Sequence, residues 1–201
     1  MKIIFTTLMA LFLLSPALSQ QALTEEERSM TVAELENTRA MLEENTTGLT
    51  EAQLNYKSAE GAWSIAECVE HLAISENAFG EMIKGALAAE ADPSKRAEVK
   101  MSDGDLLNMI RDRSSKIKTA EPFEPSGKFG THEETLGAFK GLREMHIALV
   151  RETEDDLRNR YGQLPFGTID GLQVILFMSG HTERHVKQIM EIKESEGYPS
   201  E

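Results

Sequence analysis

The sequence predicts an all-α protein, a four-helix bundle with an additional short helical segment. Three observations carry that expectation. Apolar residues recur at helical spacing through most of the chain, and no run alternates apolar and polar residues between turn signals. Two long segments also open with Ser or Thr followed three residues later by Glu, the spacing of a capping box.

The first helix is expected over 24–44, where "TEEE" offers an N-cap oxygen at Thr24 and negative charge for the positive helix end. "NTTGL" closes it, and "TEAQLNY" from Thr50 makes a short helical turn. Ser64 and Glu67 cap a second long helix over 64–89. Pro93 and the polar "EADPSKRAEVK" form a crossover loop before a third segment, 102–119, which is capped near Ser102 and short enough to be the accessory piece. "EPFEPSGKFG" holds too much Pro and Gly to continue it. Thr131 and Glu134 start a fourth helix over 132–160, "GQLPFGT" ends that helix, and a last one runs over 169–196 to Gly197 and Pro199.

Residues 1–19 read as a signal peptide. Lys2 gives a positive start, Ile3 to Leu14 form a mainly apolar run, and Ala17-Leu18-Ser19 supplies small residues for cleavage after Ser19. The apolar run is shorter than the roughly 18 residues of a spanning helix, so an uncleaved anchor is the weaker alternative. An exported protein, periplasmic or secreted, with no stable membrane span after cleavage is expected. No cysteine near the cleavage point offers a lipid attachment.

Residues 20–201 then form a single domain with its core at about 23–196. Cys68 is the only cysteine, so no internal disulfide is available and stability must come from packing or a metal. The chain of 201 residues carries 34 Asp and Glu against 21 Lys and Arg, a net charge of −13 that repels phosphate backbones. Nucleic acid is excluded as an expected partner.

The last helix carries "HTERH", with His181 and His185 four residues apart on the stripe of Leu172, Ile175, Met178, Ile189 and Ile192. A rise of about 1.5 Å per residue sets the two imidazoles about 6 Å apart along one face, where both can turn toward one ion. In the second helix, His71 sits on or beside the inner stripe of Ile65, Cys68, Leu72, Phe79 and Ile83. Three buried imidazoles without partners would each cost about 1–3 kcal/mol, and convergence on a metal removes that cost. Three nitrogen ligands with an open fourth position describe a catalytic zinc site rather than a closed structural one. The competing expectation is three core histidines separately bonded to carbonyls or water.

"HTERH" has the histidine spacing of a zincin helix, but Thr182 stands where the general-base Glu belongs, and Glu183 points about 200° around the helix. A zincin-type protease is not expected. Cys68 reads as a small core residue rather than a fourth ligand. His132 is expected to cap its helix facing solvent, and His146 has no partner at helical spacing. Glu67 belongs to a capping box and Glu70 is expected to face water. Glu76, five residues after His71, is the weak candidate for a catalytic base, with a surface salt bridge as its plainer role. Trp63 is expected to act as a hydrophobic staple at the helix entrance rather than line a pocket. Arg184 is either exposed or available to an anionic substrate.

"WSIAECVEHLAISE" and "HTERHVKQI" together resemble the DinB-like superfamily of metal-binding four-helix bundles, over about Leu23 to Glu196. The resemblance implies a ligand set of one histidine from the second helix and two from the last, here His71, His181 and His185. It implies a divalent ion, Zn or Ni, and a possible homodimer. Family members include metal-dependent hydrolases, bacillithiol and mycothiol S-transferases and a mycothiol-dependent isomerase. The expected function is therefore an exported metal-dependent hydrolase of a small molecule, with a metal-dependent thiol S-transferase or a non-catalytic metal- or ligand-binding bundle as alternatives. The signal peptide departs from the cytosolic transferases, whose thiol cosubstrates are made inside the cell. Metal binding is expected to weaken below about pH 6, because a protonated imidazole cannot ligate.

Overall fold

A computed structural model describes residues 22–115 and 117–200. The expected signal peptide lies outside these residues. The four long helices are α1 (Glu25–Thr46), α3 (Ile65–Ala88), α5 (His132–Glu152) and α6 (Gly171–Lys193). Two short ones, α2 (Glu51–Asn55) and α4 (Asp103–Arg111), complete the helical count among the described residues, apart from three short 3₁₀ turns. α3 packs against α5 and α6, and α1 packs against the same two. The consecutive long helices α1 and α3 therefore face each other across the bundle diagonal. α4 lies against α6 as the accessory segment.

The starts of the helices follow the sequence closely because local chemistry sets them. Thr24, Thr50, Ser64, Thr131 and Asp170 each accept from the backbone N–H three residues on, and the residue there returns the bond to the cap N–H. Such a cap is worth about 1 kcal/mol, enough to place a helix end.

The ends of two helices differ from expectation. α4 stops at Arg111, not at 119, because the Asp112 carboxylate accepts from the Ser114 N–H and hydroxyl, a local turn that competes with helix. Beyond Ile110 the only apolar side chain there is Ile117, which is exposed, so nothing holds a further helical turn to the core. α5 stops at Glu152, not at 160. The Thr153 hydroxyl accepts from Asp155 N–H and Asp156 accepts from Asn159 N–H, which turns the chain.

The all-α bundle is as expected, and one local feature of the α5–α6 connection was not anticipated. Residues placed in the α5–α6 connection form an antiparallel hairpin, β1 (Tyr161–Leu164) and β2 (Gly167–Asp170), with Tyr161 opposite Asp170 and Leu164 opposite Gly167. The strands are too short for alternation to be legible, and Pro165-Phe166 is not one of the usual hairpin turn pairs. The hairpin delivers the fully buried Asp170 to the start of α6, where it caps the helix and pairs with Arg158 at 3.1 Å and with Arg96. It thereby sets the position of α6.

The core divides into two apolar clusters. One joins Leu35, Phe79, Ile83, Leu106, Ile147 and Ile175, and the other Leu42, Ile65, Leu72, Phe139, Val186 and Ile189. Cys68 belongs to the second, fully buried, and burial pushes its thiol up to about 12, so it is an inert packing residue. α4 approaches α6 closely at Gly180, where a Cβ would lie 2.4 Å from Ile110 Cγ2. Only glycine lets that contact form one residue before His181.

Candidate metal centre

α3 carries His71 and α6 carries His181 and His185 to one place, the ligand nitrogens all lying within 4.8 Å of one another. Ring centroids are 5.0 Å apart for His71 and His181, and 4.6 Å for each of the other two pairs. His71 and His185 are buried, and His181 keeps partial access to a cavity of about 670 Å³ that all three line.

Two imidazoles are held by their far nitrogens. His71 Nδ1 lies 2.8 Å from the carbonyl oxygen of Phe123, and His185 Nδ1 lies 3.0 Å from Gln188 Oε1. Each oxygen accepts, so each Nδ1 bears the hydrogen and each Nε2 keeps its lone pair. Arg113 Nη1 donates to the same Gln188 oxygen at 3.3 Å and fixes the amide orientation.

Burial lowers the affinity of all three rings for protons. It pulls His71 below the ordinary imidazole range despite the Phe123 carbonyl. His181 is driven well below that range by burial, then by His185 and His71. His185 falls to about 3, through burial first and then the neighbouring His71 and Arg113. The triad is neutral at pH 7, the state in which imidazole ligates.

The arrangement fits a metal. His71 Nε2 and His181 Nε2 stand 3.2 Å apart. Two nitrogens bound tetrahedrally at about 2.0–2.1 Å are separated by about 3.3–3.4 Å, so these two already hold the spacing of a ligand pair. Oxygen acceptors behind His71 and His185 are the usual outer support of metal-bound histidine.

The cavity wall is aromatic on the metal side. Trp63 lies 4.9 Å from His71 and 6.1 Å from His185 between ring centroids, and Phe177 stacks on His181 at 6.2 Å and 10°. Trp63 thus lines the pocket as well as packing at the entrance of α3, a correction to the staple expectation. Ser75 and Phe79 contribute further wall from α3, and Leu164 reaches in from the hairpin.

Glu76 stands elsewhere. It is buried rather than at the surface and does not line the cavity. Its oxygens take a bidentate pair from the fully buried Arg143, at 2.7 and 2.8 Å, and a third contact from His146 Nδ1 at 3.0 Å. Burial pushes this carboxyl up, but the charge and bonds of Arg143 and His146 outweigh it and hold the group below the usual range. Arg143 also donates to Leu35 O, to Thr38 Oγ1 and to Thr182 Oγ1, so one guanidinium ties together the four long helices. His146 therefore has a partner, 70 residues away, that helical spacing could not reveal.

The remaining sequence candidates divide in the same way. Glu183 pairs with Arg111 and Lys187, on the side away from the triad, as its angle around the helix requires. Glu67 completes the α3 capping box. Glu70, expected in water, is buried and accepts the backbone N–H groups of Ser126, Gly127 and Lys128, which anchors the loop that presents Phe123 to His71. His132 is half-buried in the first turn of α5, not solvent-facing, and is not among the cavity residues. Arg184 is buried at the cavity, where it donates to the carbonyls of Ile110, Asp112 and Ser115.

Three residues that sequence reasoning missed also contribute: Phe123 through its carbonyl, Gln188, and Glu124 in the cavity wall. Gln188 was accessible as the residue one helical turn beyond His185. A carbonyl 52 residues from its histidine carries no sequence signal.

Fold and site together define a helical bundle with a three-histidine centre suited to a metal ion. Residues 34–189 match the model of the DinB superfamily, and the chain belongs to that superfamily. It is similar to the uncharacterized protein YuaE of Bacillus subtilis (strain 168), 28% identical over 148 residues that cover 73% of this chain and 87% of YuaE. The fold is also similar to that of YfiT from Bacillus subtilis, described as a probable metal-dependent hydrolase with an unusual four-helix bundle topology. That match has a TM-score of 0.57 at 21% identity and covers 90% of this chain and 93% of YfiT.

Proposed function

We propose that this protein is an exported metal-dependent hydrolase acting on a small molecule, with His71, His181 and His185 holding Zn²⁺ or Ni²⁺. The observation that carries the reading is the neutral triad with Nδ1 of two rings tied back and the ligand nitrogens facing a cavity of about 670 Å³. The three-ligand set leaves room for a further ligand, and the description of YfiT as a probable metal-dependent hydrolase supports the reaction class. A divalent ion bound there supplies Lewis acidity, either acidifying a water or polarising a carbonyl.

The chain's own residues do the rest. Phe123 and Gln188 fix the tautomers of His71 and His185. Trp63, Phe79 and Phe177 line the cavity beside the triad and offer apolar surface to the body of a substrate. Glu76 is committed to Arg143 and His146, so the proton acceptor is assigned to Glu124 instead. Among the described residues two carboxylates line the cavity; Glu191 is held bidentately by Arg113, while Glu124 makes no ion pair with another described residue. In hydrolysis Glu124 would take a proton from the attacking water as its oxygen bonds to the scissile carbon, and would return that proton to the leaving group as the bond between that group and the carbon breaks.

Metal analysis of the purified untagged protein tests the reading, beside His71→Ala, His181→Ala and His185→Ala. Metal near one equivalent that is lost in each variant is expected, followed by metal-dependent turnover in an ester and amide panel. Stoichiometric metal surviving all three substitutions would sink the triad. Turnover confined to thiol-transfer substrates would replace hydrolysis with S-transfer, and silence in both panels would favour a binding role.

A further inference from the structure

The whole chain carries a net charge of −13, yet the cavity wall is positive. Among the described residues three cationic side chains line it, Arg113, Lys118 and Arg184, against two carboxylates, Glu124 and Glu191. Arg113 and Glu191 neutralise each other through two bonds of 2.7 and 2.6 Å. That leaves Arg184 and Lys118 facing Glu124 alone.

Arg184 is the informative member. It is 7% exposed, and the bonds of its guanidinium go to three backbone carbonyls. No carboxylate stands within ion-pair distance of it among the described residues. Asp112 and Glu191 act on it only at longer range, and Glu191 is already committed. A buried guanidinium bonded to neutral oxygens keeps its full charge, and a buried charge without a counter-charge is costly. It lines the cavity, where an anion would supply the missing counter-charge. Lys118 is exposed on the non-helical segment after α4 and forms no ion pair among the described residues. The same cavity is also lined by Trp63, Phe79 and Phe177, apolar surface for a ring or acyl chain. A volume of about 670 Å³ suits a small organic molecule.

We infer that the cavity selects small organic anions with an aromatic or apolar body, the negative group drawn to Arg184 and Lys118 and the body laid against the aromatic wall. As a statement about substrate this rests on the hydrolytic reading above; as a statement about binding it does not.

A matched pair of fluorescent probes tests it without turnover. 8-Anilinonaphthalene-1-sulfonate and N-phenyl-1-naphthylamine share one arene frame and differ by the sulfonate. Trp63 is the only tryptophan in the chain and lines the cavity, so its quenching reports occupancy. Titrations are made on metal-free and zinc-loaded protein. The sulfonate is expected to bind one-to-one with Trp63 quenching, about tenfold or more tighter than the neutral probe, in both forms. Lys118→Glu should cut that preference by about fivefold and leave the neutral probe unchanged. Lys84→Glu, the same charge change on an exposed residue outside the cavity, should leave the preference intact. Equal affinity for the two probes, binding without Trp63 quenching, or an equal loss in Lys84→Glu and Lys118→Glu would each overturn the inference. Absence of hydrolysis or of metal would overturn only the function proposed above, since the probe preference is read in the metal-free protein as well.

Discussion

His71 Nε2 and His181 Nε2 stand 3.2 Å apart although 110 residues separate them in the chain. Two neutral imidazole nitrogens at that distance share at most one hydrogen, so at least one lone pair between them is available to a cation. Gln188 extends the same logic to His185, because its amide oxygen holds the Nδ1 hydrogen and leaves Nε2 as the ligand. Gln188→Met keeps the side-chain length and removes the amide oxygen that accepts from His185. Metal affinity is expected to fall by about 10–100-fold, measured by chelator competition, with the helical content unchanged. An unaltered affinity would mean that His185 is oriented by packing alone.

The depressed proton affinities of the triad give a defined pH window. In the unfolded chain these histidines titrate near 6.5, whereas in the fold His185 titrates at about 3 and His181 well below its ordinary range. The unfolded state then binds more protons over that interval, and stability rises with pH across it. The metal-free protein should hold its full contribution from these groups above pH 6.5 and lose it progressively as pH falls toward 3. The same shift carries proton competition with metal to lower pH than free imidazole, so half-release is expected below pH 6. Thermal melts of metal-free protein from pH 7.5 to 4 check the first point, and metal retention over the same range checks the second.

Glu124 separates proton transfer from metal binding. It lines the cavity, belongs to no ion pair among the described residues, and follows the residue whose carbonyl holds His71. Glu124→Gln retains the shape of the side chain and the backbone of the loop. A drop in kcat of about 10²–10⁴-fold with metal content unchanged is expected for loss of a general base. A variant that loses metal together with activity would show that the loop, rather than the carboxylate, is what matters.

What could be read from the sequence was whatever local chemistry determines. Thr24, Ser64 and Thr131 place three helix starts because a cap bond acts over three residues, and His181 and His185 share a face because helical geometry makes them. His71 joined them through its inward position and the family motif. The helix ends at Arg111 and Glu152 were hidden because Asp112 and Thr153 compete for backbone groups without disturbing the apolar pattern. Glu70, Glu76 and His146 looked like surface or unpaired residues because their partners lie 56 to 70 residues away. Long-range pairing of polar groups leaves no periodic trace, so the outer support of the site was the illegible part.

The Glu76–Arg143 pair carries the sharpest test of that hidden layer. Arg143 is completely buried, and Glu76 supplies its only carboxylate contacts among the described residues. Replacing the acid by its amide leaves a buried guanidinium without a counter-charge, a loss of about 3–5 kcal/mol when one partner of such a pair is removed. Glu76→Gln should therefore lower the urea midpoint markedly while the folded fraction retains its metal, because no triad histidine bonds to Glu76. Arg143→Met with Glu76→Leu removes both charges and should recover part of that stability, since an apolar pair of similar size carries no desolvation cost. If Glu76→Gln instead folds with normal stability and loses only turnover, Glu76 is the base after all, and the buried network is part of the chemistry rather than the frame around it.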